Sequence, residues 1–465
     1  MIKRLRPVLI LAGVAVVLGL ALWILVAFVL PKDETGEDKG NKVVLMEQDF
    51  SEADTLEIRN TFDHYTLVKQ AIGTYYVDGK KGYNVNSESV TSLLEKLGSL
   101  TATKKVIDHP SDEQLESYGL KDPKGTVTVS NKGETFIFTL GGTSSSGNYY
   151  CQKEGDPAVY LIDTSVPDIV LLSRYQFYSD TMISYSEDAD QETLTPIVIG
   201  GSGRPQEIRL EMNNLSDDEV GTTYIMTTPI YQSFSSTTQD KLFNLLTALT
   251  TCSIVGDDTS AEALARYGLD QPVYTLTYTL EGKTEEVHFG NTNESGMQYC
   301  YTVGGKFIHS IETSYTEMLG ASLKDYCEDM IYTRAVDVIS GIRVTGGGKT
   351  FTIAIGDKDD NGDFAVTINN KTVDSDLFSD FYSHILTIGI TDLGEKGEAK
   401  DPYVTVVFTL RDGTVETMNF YQVSELKCFC ELNGSGHFLV STLNVDRIVE
   451  NAQKLYNGEV IELEW

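Results

Sequence analysis

With 465 residues the chain is too long for one ordinary core, and at roughly 100 to 200 residues per domain it predicts about three. Its 25 Tyr and 18 Phe argue against disorder over most of that length. A formal charge of −32 repels nucleic-acid phosphates and anionic lipid head groups, which excludes nucleic acid as a partner.

Pro7 to Leu30 carries no charged residue, and about 20 helical residues are enough to cross the hydrocarbon of a bilayer. Lys3, Arg4 and Arg6 precede the run, whereas Asp33, Glu34, Glu37 and Asp38 follow it. That asymmetry places the N-terminus in the cytoplasm and the body outside, with residues 1–30 as cytoplasmic tip and transmembrane helix. A cleaved leader would have a shorter apolar core followed by a small-x-small site, whereas this run ends Val26-Ala27-Phe28-Val29-Leu30. Residues 31–42, rich in Lys, Asp, Glu and Gly, read as a solvated tether reaching about 40 Å at full extension.

Beyond the tether the chain repeats itself. Tyr118-Gly119-Leu120-Lys121-Asp122-Pro123 returns as Tyr267-Gly268-Leu269-Asp270-Gln271-Pro272, and the Pro returns again as Pro402. The same offsets join Tyr150-Cys151, Tyr299-Cys300 and Phe429-Cys430. They also join helix-spaced apolar sets: Val166, Ile169 and Val170; Tyr315, Met318 and Leu319; Val445, Ile448 and Val449. Each copy is expected to close alike, on Tyr178 to Ile183, on Tyr326 to Ile331, and on a weaker Tyr456 to Ile461.

The first half of each copy reads as strands followed by an amphipathic helix, with Leu93, Leu94, Leu97 and Leu100 matching Leu242, Phe243, Leu246 and Leu249. A short capped helix follows in two copies, with Ser111 or Thr259 as N-cap and Gln114 or Glu262 three residues on. Gly119 or Gly268 then supplies the left-handed closing residue, and Pro123 or Pro272 prevents continuation. The third copy is about ten residues shorter where this helix would stand, so it reads as a truncated terminal version. Gly141-Gly142, Gly282 and Asp412-Gly413 read as turns between alternating strands. The expectation is an α+β chain: three tandem repeats of antiparallel sheet with helices on one face, over 43–190, 191–333 and 334–465.

The Tyr-Gly-Leu-Lys-Asp-Pro motif, the hairpin after it, Tyr150-Cys151 and the strand Ala158 to Ile162, all behind an N-terminal anchor, resemble the domain of unknown function 4340 family. The resemblance is clearest over residues 56–183 and extends by internal repetition to 197–331. It implies an envelope protein, in some members one that accompanies ABC-type export systems or gliding-motility components, and it brings no catalytic residues.

Among candidate sites, Asp357, Asp359 and Asn361 with Gly362 copy the first half of a calcium loop. Ile368 stands where the bidentate Glu belongs, and the strand-like flanks make a polar hairpin turn the default. Gly346 to Thr350 ends like a phosphate-binding loop, but a strand follows instead of a helix, so it reads as a turn. Cys151, Cys300 and Cys430 occupy one repeat position and are expected to be buried free thiols; Cys428 and Cys430 share a strand face too closely to bridge. Cys252 and Cys327 are the one disulfide pair to test. The six histidines show no zinc-enzyme spacing and no nucleophile elbow appears, so no catalytic residue and no cofactor is assigned.

Two functional readings follow. The first is a non-enzymatic envelope module on a membrane tether, offering surfaces to a transporter or another envelope partner. The second is an extracytoplasmic enzyme, or a solute- or polysaccharide-binding protein, with its site between repeats. A polar pocket holding close carboxylates or a His-carboxylate pair would favour the second.

Overall fold

The structure is a computed structural model that describes residues 42–183, 194–213, 222–280, 282–360 and 362–462. The expected transmembrane helix at Pro7 to Leu30 lies outside the described residues. Among the described ones, no helix is long and apolar enough to cross a membrane. The fold is α+β, with mostly antiparallel sheets, and it divides into two compact units, Met1–Ser179 and Asp180–Trp465.

In the first unit β1 (Val43–Val44) precedes β2 (Thr55–Asn60), β3 (His64–Lys69), β4 (Tyr75–Val77) and helix α1 (Ser87–Gly98). Then come β5 (Thr101–Ala102), β6 (Lys104–Ile107), α2 (Asp112–Ser117), β7 (Gly125–Asn131), β8 (Glu134–Thr143), β9 (Tyr149–Lys153), β10 (Val159–Ile162) and α3 (Pro167–Val170). The sheet order is β4-β3-β2-β7-β8-β9-β10-β6. Strand β7 alternates strictly, burying Val127 and Val129 and turning Thr126, Thr128 and Ser130 outward, as a sheet covered on one face must. Helix α1 starts at Asn86, whose side chain accepts from Ser89 N, and buries Val90, Leu93, Leu94 and Leu97. Each such aliphatic side chain contributes about 1.5 to 3 kcal/mol by leaving water.

The second unit holds two further sheets. One comprises β11 (Ile197–Gly200), β12 (Ile208–Met212), β13 (Tyr224–Thr228), β14 (Gln232–Ser233), α4 (Ser236–Thr251), β15 (Ser253–Gly256) and α5 (Ala261–Arg266). It continues through β16 (Tyr274–Leu280), β17 (Lys283–Thr292), β18 (Met297–Thr302), β19 (Ile308–Glu312) and α6 (Thr313–Thr316). The other comprises β20 (Ile339–Gly346), β21 (Lys349–Lys358), β22 (Phe364–Ile368), β23 (Lys371–Val373), α7 (Ser375–Leu386) and β24 (Ile390–Leu393). It ends with β25 (Val404–Leu410), β26 (Val415–Gln422), β27 (Lys427–Leu432), β28 (Ser435–Ser441) and α8 (Thr442–Asn457).

Their strand orders are β14-β13-β12-β11-β16-β17-β18-β19-β15 and β23-β22-β21-β20-β25-β26-β27-β28-β24. Position by position these are one topology, and the first sheet shares it save for the outermost short strand. In the third sheet no helix lies between β24 and β25, whereas the helix after the last strand grows from four residues in α3 and α6 to sixteen in α8.

Four expectations need correction. The N-cap of α5 is Ser260, whose side chain accepts from Ala263 N; Thr259 lies one residue outside, and Glu262 instead faces Arg266 at 3.9 Å. Gly141-Gly142 is no turn but lies inside β8, at the register shift between Leu140 and Thr143. Of Tyr456 to Ile461 only the end closes the third copy, because Tyr456 is in the last turn of α8, which ends on left-handed Gly458, whereas Ile461 returns to the third core. Finally, Tyr178 to Ile183 does not close the first repeat as a whole: Met182 and Ile183 are buried in the core of the second sheet.

That last correction exposes a recurrent fastening. Leu45 N and Met46 N both donate to Leu100 O, just past the end of α1. Met182 reaches the corresponding place in the second sheet, its Sδ 3.6 Å from Cys252 Sγ just past α4. Met330 bridges Gly389, just past α7. Met46 precedes β2 by the same interval as Met330 precedes β20. Each sheet therefore opens with a methionine-bearing segment laid against the chain leaving its main helix. In the third sheet Tyr332 strengthens this, stacking on Phe408 with centroids 3.9 Å apart and donating from its hydroxyl to the buried Glu416.

Candidate functional site

The Tyr-Gly-Leu motif was the sharpest sequence signal, and the structure shows what each residue does. Ser111 and Gln114 form a complete capping box at the start of α2. Gly119 and Gly268 adopt φ of +70° and +71°, and Leu120 N and Leu269 N reach back to Leu115 O and Leu264 O at 2.9 Å in both cases. These are Schellman closures. Tyr118 O and Tyr267 O then accept from Gly142 N and Asn291 N, 2.8 Å each, on the bulged strands β8 and β17. A Cβ at Gly141 or Gly290 would overlap those same carbonyl oxygens. The tyrosine rings pack on Tyr150 and Tyr299, with centroids 4.5 and 4.6 Å apart. Motif tyrosine, strand glycine and the tyrosine before the cysteine thus form one lock between short helix and sheet.

The cysteines sit inside this frame. Cys151, Cys300 and Cys430 pair across strands with Leu140, Phe289 and Phe420, and all six cysteines are free. Burial pushes the Cys151 thiol up to about 12 and raises those of Cys300 and Cys430 as well, so these groups are protonated and inert. The pair Cys252 and Cys327 is not bonded. Cys327 bridges Phe234 at the start of α4 and Cys252 caps its end, so a sixteen-residue helix, about 24 Å long, separates them.

The calcium-like loop is the turn between β21 and β22. Arg411 Nη1 donates to Asp357 Oδ1 at 3.1 Å, and Asp363 N donates to Asp359 Oδ1 at 3.0 Å, so both carboxylates have partners within the protein. Asn361 lies outside the described residues. Gly347-Gly348 is a two-residue hairpin turn with φ of +55° and +73°. Among the described residues no three His, Cys, Asp or Glu side chains gather to hold a metal ion.

Sequence spacing missed two His-carboxylate pairs, because one is made across strands. His64 Nε2 lies 2.8 Å from Glu57 Oε1 on the neighbouring strand, and His288 Nε2 lies 2.8 Å from Glu286 Oε1 two residues away. Among the described residues neither pair has a hydroxyl or thiol nucleophile bonded to it. His309 is different in kind, being buried with no side-chain hydrogen-bond partner for its ring among the described residues, and burial, only partly offset by Asp180 and the Phe307 backbone, lowers its pKa to about 4.

The family profile described as Domain of unknown function (DUF4340) matches residues 76–256 and 236–404. The chain belongs to this family. No curated protein and no solved structure matches it. The DUF4340 matches run from the end of one half-sheet through the main helix of the next, so they are cut differently from the 56–183 and 197–331 segments the resemblance suggested. Both capped helices with their strand glycines fall inside the matches.

Among the described residues, a cavity of about 800 Å³ lies in the second sheet beside the start of α4. Its carboxylates are Glu317, Asp325, Glu328 and Asp329. Three of them are engaged: Glu328 accepts from Ser236 N, Asp325 from Ser322 N, and Asp329 from Lys324 Nζ at 2.6 Å. A general acid or base needs a group free to exchange a proton with substrate. The three engaged carboxylates instead brace the walls.

Proposed function

We propose that this chain is a membrane-anchored extracytoplasmic repeat protein that acts without catalysis, as an accessory or interaction module of a cell-envelope or ABC-type transport complex. One observation carries the reading above the rest. The residues of the repeated motif, Tyr118, Gly119 and Gly141 with their counterparts Tyr267, Gly268 and Gly290, serve to fasten a helix to a sheet. What such a fold offers a partner is surface, displayed three times on one topology. The run Pro7 to Leu30 with Lys3, Arg4 and Arg6 before it supports the anchor and the outward orientation.

Protease added to intact or wall-stripped cells should degrade residues 43–465, and purification from solubilised membranes should bring a membrane or envelope protein with the chain. A body protected from the protease, or recovered free in the medium, would contradict the anchored placement. A chain that purifies alone from crosslinked membranes would contradict the accessory role.

A further inference from the structure

One repeat position breaks the pattern of the other two. Val166, the N-cap of α3 in the first sheet, and Val445, in α8 of the third, are 2% and 0% exposed. The matching residue of the second sheet is Tyr315, and it is 40% exposed. A buried aliphatic position has become an exposed aromatic one, and it stands at the seam of two cavities. The 800 Å³ cavity and a neighbouring one of about 330 Å³ share Tyr315 and Asn244 as wall residues, so together they form one elongated groove beside α4 and α6. Its platform is held firmly. Buried Thr316 donates to Gln298 Oε1 at 2.5 Å, and Gln298 Nε2 donates to Gly290 O at 3.0 Å, which ties α6 to the sheet.

We infer that this groove binds a stretch of neutral or N-acetylated glycan chain, with Tyr315 as the stacking platform. The chemistry selects that class. The carbon-bound hydrogens on one face of a sugar ring lie on the negative face of an aromatic quadrupole, and a half-exposed tyrosine offers that face while keeping its hydroxyl wet. Around it, Ser235, Thr237 and Ser314 bring hydroxyls, and Asn244 brings an amide that both donates and accepts at the centre of the groove. A phosphate-bearing ligand meets Glu317, Asp325, Glu328 and Asp329, which outnumber the cations Lys241 and Lys324, and Lys324 is already held by Asp329. An apolar ligand would leave these polar walls unpaired. With three of its four carboxylates engaged, the groove lacks a free acid–base pair and holds the chain without cleaving it. The extracytoplasmic placement proposed above would put it where such polymers are found, but the groove itself rests on the second sheet alone, so a titration and a protease-protection experiment can fail independently.

The test is calorimetric titration of the full chain, in a detergent without a sugar head group, with chitotetraose and with cellotetraose. At least one should bind, and Tyr315→Ala should weaken that binding by about tenfold or more. Tyr315→Phe, which keeps the ring, should stay within about threefold of the wild type, as should Tyr231→Ala at an exposed tyrosine outside the groove. Melting of the Tyr315→Ala chain, compared with the wild type, separates lost stacking from lost folding. Absence of heat with both sugars at millimolar concentration would overturn the inference. So would undiminished binding by Tyr315→Ala in a folded chain, or recovery of the tetrasaccharide cleaved.

Discussion

The second and third sheets carry the same nine strands in the same order, yet they solve one local problem in opposite ways. In the second, α5 lies on the sheet, and Gly290 leaves room for Tyr267 O, whose ring packs on Tyr299. In the third, the helix is gone, and the residue after Phe420, which corresponds to Gly290, is Tyr421. Its ring lies 6.5 Å from that of Phe429, the counterpart of Tyr299, and Lys396 Nζ sits 3.5 Å above it. Helix with glycine, or no helix with tyrosine, are two ways to cover the same patch of sheet. The glycine is needed only where a backbone must come close, so it marks the helix and not a ligand.

The sharpest way to break the comparison is Tyr421→Gly, which places the second sheet's residue in the third without its helix. Loss of a nearly buried aromatic ring with no backbone to replace it should cost about 3 to 5 kcal/mol, read as a lowered melting transition of the 180–465 unit. A change of a few tenths would mean that Tyr421 covers nothing.

A second contrast concerns acid. His309 faces Cys300 across the second sheet, where the first has Tyr160 and the third Phe438. Its folded pKa is depressed from 6.5 to about 4, so its contribution is intact above about pH 6.5 and is lost as pH falls toward 4. The 180–465 unit should lose up to about 3 kcal/mol over that window beyond what its carboxylates account for. His309→Phe, copying the third sheet, should flatten that part of the pH profile. An unchanged slope would show that His309 takes up its proton without strain.

The glycines sharpen the comparison further. Gly119→Val and Gly268→Val should each destabilise their own unit by roughly 1 to 2 kcal/mol, independently, because both residues are left-handed and belong to different units. Gly394 and Gly397 of the third copy close no such helix, but Gly397 has φ of +62° and a Cβ at Gly394 would press on Leu439 at 2.7 Å. Substitution there should therefore cost a similar amount, and thermal melts of the four variants decide it. The smallest effect is expected from calcium: a weak site at Asp357 and Asp359 adds only about 0.4 kcal/mol when the ion equals its dissociation constant. A rise of many degrees in melting temperature at micromolar calcium would overturn the turn reading.

Much of this was legible because local chemistry dictates it. The capping box at Ser111, the left-handed Gly119 and the Leu stripe of α1 need only near neighbours to be understood. Cys151, Cys300 and Cys430 kept their register through strand pairing. What escaped depends on contacts made through space. Gly141-Gly142 looks the same in a sequence whether it turns a hairpin or admits a carbonyl oxygen. Met46 lacks the Tyr and Ile that flag Met182 and Met330, so its shared role shows only in where it docks. Tyr315 matched the helix spacing of Val166, and nothing in that spacing says its ring faces solvent.

The central claim is that the repeated Tyr-Gly-Leu motif is a lock between helix and sheet, and Gly290→Ala tests it most directly. The added methyl would meet Tyr267 O and force the short helix away, so calorimetry of the full chain should show the 180–465 transition lowered by about 1 to 3 kcal/mol. The transition of the 43–179 region, which keeps Gly141 and Tyr118, should stay in place. A Gly290→Ala chain that melts like the wild type but no longer retains its partner would contradict the account, because the motif would then be a binding site and not a fastening.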